Sequence, residues 1–202
     1  ANVMFQSFGY LFVNGAGIDK DTMQIGQDKI VLDHLQNKRN GCFVDIGCAA
    51  PFRLSNTATM EIDLGWKGLG FDLNVYNSTH NEICPRYKGG GRSWKERPNT
   101  KIYEADIFAL NLEDVFEREG TPKIVDFLSI DLEPPTRTFN AFKLIPHDKY
   151  KFKIITFEHD GYRTGGGWVS KTDNYIRSLG YDLLQPIHDN THHVDNIYVL
   201  RE

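Results

Sequence analysis

Residues 42–47 of the chain read Cys-Phe-Val-Asp-Ile-Gly, a short apolar run that closes on an acid and a glycine. An apolar run of this length bounded by a turn residue is typical of a strand buried in a parallel sheet. Glycine lets the backbone turn tightly directly after the strand. The stretch therefore predicts a central strand whose carboxyl end opens onto a loop that a ligand can approach closely.

Similar apolar runs recur along the chain and alternate with amphipathic segments. Further strands are predicted at residues 68–73, 101–105, 125–131, 152–158, 181–184 and 196–200. Helices are predicted at residues 27–38, 55–64, 112–119 and 168–179, the second of them capped by Ser55. This alternation indicates a mostly parallel sheet covered by helices, and the last two strands are expected to form an antiparallel hairpin.

The 202 residues suit a single domain preceded by a short arm. We predict an N-terminal arm at residues 1–23 and one domain at residues 24–202. Within that domain, residues 74–100 contain Gly89-Gly90-Gly91 and show no sustained hydrophobic period. We interpret the segment as a long excursion, which in a compact domain is usually functional or mobile.

Composition argues against several classes of protein. The apolar runs are far shorter than the about 20 residues that cross a bilayer, and the first residues lack the basic region of a signal peptide. The cysteines, Cys42, Cys48 and Cys84, form no paired motif, which favours a reducing compartment and hence a cytoplasmic location. A net charge of −4 argues against nucleic acid as a partner.

Acidic side chains follow several of the predicted strands. They are Asp45, Asp72, Asp131 with Glu133, and Glu158 with Asp160. Ligands of open α/β sheets bind at the carboxyl ends of the strands, where these groups are expected to meet. The alternative is that each acid only caps the helix that follows it. Asp72 stands where a carboxylate would bind ribose hydroxyls, and Asp106 is a candidate for an adenine amino group.

Several stretches, taken in order, resemble the FkbM-type methyltransferases. They are residues 55–57 (SNT), 64–68 (LGWKG), 126–133 (DFLSIDLE) and 155–159 (ITFEH), preceded by Gln24-x-Gly26-Gln27-Asp28. The resemblance runs from about Gln24 to Leu200. It implies a class I methyltransferase fold, a Rossmann-like three-layer sandwich around a seven-stranded sheet. It also implies S-adenosylmethionine as cofactor and O-methylation of a saccharide or small-molecule hydroxyl.

The resemblance also suggests a role for each site residue. The cofactor would be bound by residues that follow the first three strands and by one after the fourth, namely Asp45, Gly47, Cys48, Ser55, Asp72, Asp106 and Asp131. Asp131, Glu158 and His159 would lie at the reaction centre. The acceptor would contact Gln27, Asp28 and Glu133, together with Trp94 from the excursion.

Two mechanisms fit the residues at the predicted reaction centre. His159 is a candidate general base because the unperturbed pKa of histidine lies near neutrality. Alternatively, it is a strand-end histidine that is satisfied by hydrogen bonds. In the second mechanism, Asp131, Glu158 and His159 would bind Mg²⁺ or Mn²⁺, which would orient the acceptor hydroxyl and lower its pKa.

The excursion also carries an aromatic residue among cations. Trp94 lies near Arg92, Lys95 and Arg97, a combination that suits a sugar, a phosphate or a single-stranded base. Such a segment is more often a solvated surface loop. We interpret His188, His192 and His193 as surface histidines, and the Cys48 side chain as a packing group rather than a nucleophile.

Two other functions compete with O-methylation. The family commonly has small polar residues and a glycine where this chain has Cys48-Ala49-Ala50-Pro51, and a glycine where it has Pro134-Pro135. A non-catalytic module that keeps the fold to bind a partner or cofactor is therefore one alternative. A nucleic-acid methyltransferase that uses the basic excursion is the other.

Overall fold

A seven-stranded sheet lies at the centre of the structure, a computed structural model that describes residues 12–13, 16–17, 26–52, 54–75, 93–189 and 192–202. Its strands are β3 (Cys42–Ile46), β4 (Lys67–Asp72), β5 (Thr100–Glu104), β6 (Ile124–Ile130), β7 (Lys151–Glu158), β8 (Tyr181–His188) and β9 (His193–Leu200). Two short strands, β1 (Phe12–Val13) and β2 (Ala16–Gly17), pair with each other in a separate ladder. The rest of the predicted arm at residues 1–23 lies outside the described residues.

The strand order is β5-β4-β3-β6-β7-β9-β8. Strands β3 to β7 are parallel, and β9 runs antiparallel to both β7 and β8. This arrangement confirms the predicted mostly parallel sheet with an antiparallel terminal hairpin. The chain builds outward from β3 to β5 and then returns to β6, so the order reverses between β3 and β6. Ligands of such sheets bind at this switch point.

The helices are α1 (Gln27–His34), α2 (Ala58–Leu64), α3 (Leu112–Arg118), α4 (Pro135–Leu144), α5 (Gly161–Thr164) and α6 (Gly166–Ser178). Helix α1 is shorter than predicted because Gln36 and Asn37 adopt left-handed φ angles of 52°. Helix α2 begins only at Ala58, although the Ser55 hydroxyl accepts the backbone N–H groups of Thr57 and Ala58. Ser55 therefore satisfies the start of α2 from outside the helix.

Apolar side chains cover both faces of the sheet and produce the three layers. On one face, the strands pack against α3, α4 and α6 through Phe116, Phe142 and Ile176. On the other, Val31 of α1 and Met60 of α2 pack among strand residues. No described helix has the length and apolar character needed to cross a membrane.

Candidate cofactor and acceptor site

Gly47 ends β3 at the switch point in a conformation that suits glycine. Its φ angle is +90°, and a Cβ atom built on it would lie 1.7 Å from the backbone oxygen of Asp131. The Gly47 and Cys48 amides both donate to the Phe71 carbonyl, at 2.8 and 3.3 Å. The turn therefore sits tightly between the ends of β4 and β6, with no room for a side chain.

Asp72 is held at the end of β4 by the turn that follows β3. The Ala49 amide donates to Asp72 Oδ2 at 2.9 Å, and the Asn74 amide donates to Oδ1 at 3.0 Å. A carboxylate oxygen has two lone pairs, so each oxygen can accept a further donor. Cys48 is buried, and its Sγ lies beside Gly70 in β4. Burial raises the pKa of its thiol, which agrees with a packing role.

Asp45 lies buried next to residues 47–52 and 54–57, the described part of the segment called here the β3–α2 loop. The Thr57 hydroxyl donates to Asp45 Oδ2 at 2.7 Å. Burial raises the pKa of Asp45 to about 6, with Asp131 and Asp72 adding to the rise, while the Thr57 hydrogen bond and Arg97 oppose it. Asp45 is thus a carboxyl group with a pKa well above its usual value, and it lies beneath the loop.

Arg97 is the residue whose role differs most from the sequence interpretation. It belongs to the basic excursion, yet it is fully buried and forms an ion pair with Glu61 at 2.8 Å. Trp94 lies over it, with the Arg97 Cζ 5.0 Å from the ring centroid. Lys95 is exposed, while Arg92 falls outside the described residues. The interpretation of Arg97 as part of a solvated loop is therefore wrong.

Asp106 follows β5 and begins a short 3₁₀ turn. Its carboxylate accepts the Phe108 amide at 3.2 Å and the Arg137 guanidinium at 3.1 Å. Arg137 also lies over the Phe108 ring, at 4.6 Å from the centroid, and that ring is 39% exposed. The Asp106 carboxylate therefore lies beside the exposed ring of Phe108, just past the end of β5.

Acidic groups come together where β6, β7 and β9 meet. The Glu158 carboxyl lies close to that of Asp131, and Asp160 and Asp195 also lie near enough to act on it. Like charges brought together disfavour the ionised form of a carboxyl group. Burial, followed by Asp131, raises the pKa of Glu158 far above its usual range. Glu158 therefore stays protonated to a higher pH than a solvent-exposed glutamate does.

Of the residues predicted to contact the acceptor, Gln27 and Glu133 are linked to this acidic group. Gln27 is buried at the start of α1 and donates to Asp195 Oδ2 at 2.6 Å. Its neighbour Asp28 is also buried, which raises the pKa of Asp28 to about 7. Glu133 is exposed and is linked to Asp160 through Arg163, at 2.7 and 2.8 Å. Trp94 instead lies against Arg97.

His159 is fully buried and lies in a group of histidines. Its Nε2 is 3.1 Å from Nε2 of His193, which in turn lies 2.8 Å from the Asn196 side-chain oxygen. Burial, and next His193, lower the pKa of His159 to about 4, so it is neutral at pH 7. Of the three histidines interpreted as surface residues, His188 and His192 are exposed, while His193 is half-buried.

The described residues contain no group of three or more His, Cys, Asp or Glu side chains arranged to hold a metal ion. The predicted trio of Asp131, Glu158 and His159 is therefore not such a group. The carboxyl groups of Asp131 and Glu158 lie together, whereas the His159 imidazole is within hydrogen-bond distance of His193.

No protein-family model matches the chain, and no curated protein sequence matches it. Solved structures do. An rRNA methylase from Streptococcus thermophilus aligns at 11% identity over 87% of this chain and 94% of its own, with a TM-score of 0.51. The precorrin-6y C5,15-methyltransferase from Geobacter metallireducens aligns at 15% identity over 92% and 97%, also with 0.51. A human methyltransferase 10 domain containing protein aligns at 12% identity over 87% and 80%, with 0.53.

This is the fold of the class I methyltransferases. In this methyltransferase fold, Gly47, Asp72 and Asp131 lie at one edge of the sheet, as the sequence predicts. Sequence reasoning named Arg97 only as a surface cation and did not name Asp195, which joins the acidic group from β9. For Arg97, the only sequence signal is its place shortly before Thr100, the first residue of β5, whose hydroxyl its guanidinium contacts at 3.2 Å.

Proposed function

We propose that the protein is a cytoplasmic S-adenosylmethionine-dependent O-methyltransferase of the FkbM type. The observation that supports this most directly is the Gly47 turn, where an added Cβ would lie 1.7 Å from the Asp131 backbone oxygen and where the Asp72 carboxylate is fixed beside the loop. The glycine lets the loop turn against the Asp131 backbone at the switch point, which is where ligands of such sheets bind. S-adenosylmethionine, when bound, supplies a methyl group already activated on a sulfonium.

The chain's own residues suit this cofactor. Asp72 can accept hydrogen bonds from ribose hydroxyls, and Asp106 can accept one from the adenine amino group. Asp45 adds negative charge beneath the loop, which favours a cationic ligand over a neutral one. Ser55 and Cys48 act on the loop itself, one by capping α2 and the other by packing against β4.

The Asp131–Glu158 pair is suited to handling the proton of an acceptor hydroxyl. Asp131 is half-buried, so its carboxyl group can reach a ligand and accept that proton, while the raised pKa of Glu158 favours a neutral carboxyl group beside it. A positioned base contributes about 10²–10⁴-fold to such reactions. We assign the base to Asp131 in preference to His159, because His159 is fully buried and is bonded to His193.

The acidic surroundings favour an uncharged acceptor such as a saccharide or a small hydroxylated molecule. Glu158, Asp160 and Asp195 all lie near Asp131, and a polyanion brought to this edge would meet them. Gln27 and Glu133 are linked to the same group and, together with Asp28 beside Gln27, would line the acceptor site.

Calorimetry with S-adenosylhomocysteine tests the cofactor, and transfer of a labelled methyl group to a panel of neutral sugars and phenols tests the reaction. We expect Asp131→Asn to lower kcat by about 100-fold or more while leaving cofactor binding intact. His159→Ala should lower kcat less than Asp131→Asn if our choice of base is correct. Failure of the wild-type protein to bind S-adenosylhomocysteine would reject the enzyme and favour the non-catalytic module.

RNA is the second candidate acceptor, since one of the structures that share the fold is named as an rRNA methylase. Binding to RNA through phosphate contacts weakens steeply with salt. Filter binding of a structured RNA between 50 and 200 mM salt separates the candidates. A fall in affinity of about tenfold or more over that range would support RNA as the acceptor, whereas absence of binding at 50 mM would leave the hydroxyl acceptor.

A further inference from the structure

The guanidinium of Arg97 forms a buried hub between the excursion and the β3–α2 loop. One of its terminal nitrogens donates to the Pro51 carbonyl at 2.8 Å and to the Ser55 hydroxyl at 3.1 Å. The other donates to the Thr57 hydroxyl at 3.0 Å and to the Thr100 hydroxyl at 3.2 Å. Three of these four acceptors belong to the loop, so Arg97 holds it at several points along its length.

Glu61 of α2 neutralises the positive charge of the Arg97 guanidinium and orients it. Arg97 Nε donates to Glu61 Oε2 at 2.8 Å, and Thr100 donates a short hydrogen bond to the same oxygen. The second carboxylate oxygen accepts the Asn99 amide at 2.7 Å. A buried ion pair is stabilising only when its geometry is good and its other hydrogen-bonding positions are satisfied. Both conditions are met here, so the guanidinium is held in one position.

Thr57 links the Arg97 guanidinium to Asp45, which lies beneath the proposed cofactor site. Its hydroxyl accepts from Arg97 and donates to Asp45, so one oxygen joins the guanidinium to the buried carboxylate. Arg97 also lowers the pKa of Asp45, against the larger effect of burial. The position and the charge of Asp45 therefore both depend on Arg97.

We propose that Arg97 is a positioning residue that sets the conformation of the β3–α2 loop and, through it, the affinity for S-adenosylmethionine. At 0% exposure, the side chain is shielded from a ligand at the surface of the loop. Its effect on binding is therefore carried by Pro51, Ser55 and Thr57. This role rests on the proposed cofactor, whereas the constraint on the loop is a property of the ligand-free protein.

Arg97→Lys tests the hub because an ammonium can keep the charge opposite Glu61 but cannot reproduce the planar fork of donors. We expect S-adenosylhomocysteine to bind at least tenfold more weakly. We also expect faster hydrogen exchange of the backbone amides from Ala49 to Ala58 in the ligand-free protein. The matched control is Asp126→Asn, which disrupts a buried carboxylate that pairs with Lys38 and Lys153 at 2.7 and 2.8 Å near the amino end of β6.

The control separates positioning from simple destabilisation. Asp126→Asn should lower the melting temperature without changing the Kd or the exchange of the loop amides. If Arg97→Lys behaves in the same way, the proposal is overturned. If the wild-type protein binds no S-adenosylhomocysteine, the proposed function fails, and exchange in the ligand-free protein alone then decides whether Arg97 orders the loop.

Thr57 supplies a second test with a conservative rescue. Thr57→Val removes the hydroxyl that links Arg97 to Asp45 and keeps the shape of the side chain, so it should weaken binding as Arg97→Lys does. Thr57→Ser keeps the hydroxyl and should retain binding within about threefold of the wild type. Equal binding by the two Thr57 variants would argue against transmission through this hydroxyl.

Discussion

Two features of the structure require glycine at position 47. Its backbone is left-handed, and the end of a neighbouring strand lies where a Cβ atom would be. The φ angle of +90° strains any L-residue, and the Asp131 backbone oxygen occupies the space of a side chain. Both constraints arise at the point where β3 passes into the β3–α2 loop. The glycine of a tight turn was predictable from its place after an apolar run, whereas its contact with Asp131, far along the chain, was not.

Gly47→Ala should therefore destabilise the protein by more than about 2 kcal/mol and abolish binding of S-adenosylhomocysteine. Chemical denaturation and calorimetry measure the two effects. Gly167→Ala is the control, since a Cβ there meets nothing within 4 Å and alanine favours the helix by up to about 1 kcal/mol. A stable Gly47→Ala variant that still binds the ligand would show that the turn is not the cofactor site.

Cofactor affinity should fall as the pH drops through about 6, the pKa to which burial raises Asp45. A cationic cofactor favours the ionised carboxylate, which is lost on protonation.

The stability of the fold depends on the ionisation of Asp45 in the opposite sense. The contribution of a buried acid with a raised pKa is present below the unfolded value of 3.8 and is lost as the pH rises through about 6.

Calorimetric titration with S-adenosylmethionine between pH 5 and 8 measures this dependence, and Asp45→Asn is its control. The variant should bind weakly, with a flatter profile around pH 6. A profile unchanged in Asp45→Asn would show that Asp45 is not the group that titrates.

At the scale of elements, α1 is joined to β9 by a buried polar contact rather than by apolar packing alone. Gln27 donates to Asp195, and burial raises the pKa of Asp195 to about 7, with Asp131 and Asp160 adding to the rise. The contribution of Asp195 to stability is full below its unfolded pKa of 3.8 and is lost as the pH rises through about 7. At high pH the buried negative charge therefore lowers stability, although the Gln27 hydrogen bond itself favours the ionised carboxylate.

Asp195→Asn should consequently be more stable than the wild type at pH 8.5 and show a smaller loss of stability between pH 5.5 and 8.5. The gain is expected to be on the order of 1–3 kcal/mol, since the amide can still accept from Gln27 without a buried charge. Urea denaturation at the two pH values measures it. Asp148→Asn, which removes an exposed carboxylate, should leave the difference unchanged.

Helix α4 shows the limit of prediction for elements. Its first residue is Pro135, and Pro134-Pro135 stood out in the sequence only as a departure at the end of a strand. Proline at the first helical position costs no hydrogen bond, because that N–H has no partner within a helix. The alternation of strands and helices did place the seven strands of the main sheet and helices α1, α2, α3 and α6, since burial on both faces of the sheet requires continuous apolar runs. It did not predict the short helix α5 or the pair β1 and β2.

For the whole molecule, cofactor binding should raise the melting temperature. A ligand at 100 times its Kd stabilises the folded state by about 2.7 kcal/mol, which corresponds to about 5–10 °C for a domain of this size. Thermal melts with S-adenosylhomocysteine measure this shift. Asp72→Ala should show little shift at the same concentration, and an equal shift in both proteins would place the ligand away from the Asp72 carboxylate.

The sequence alone was sufficient for the seven strands of the main sheet and four of its helices, for the mostly parallel pairing, and for the edge at which the acidic residues gather. Hydrophobic periodicity is local, and strand ends at one edge follow from parallel pairing. Tertiary contacts were needed for Arg97, which pairs with Glu61 across 36 residues, and for the bonding of His159 to His193 rather than to Asp131. Burial and pairing of polar groups depend on which distant segments meet, and that information is not carried by any one stretch of the chain.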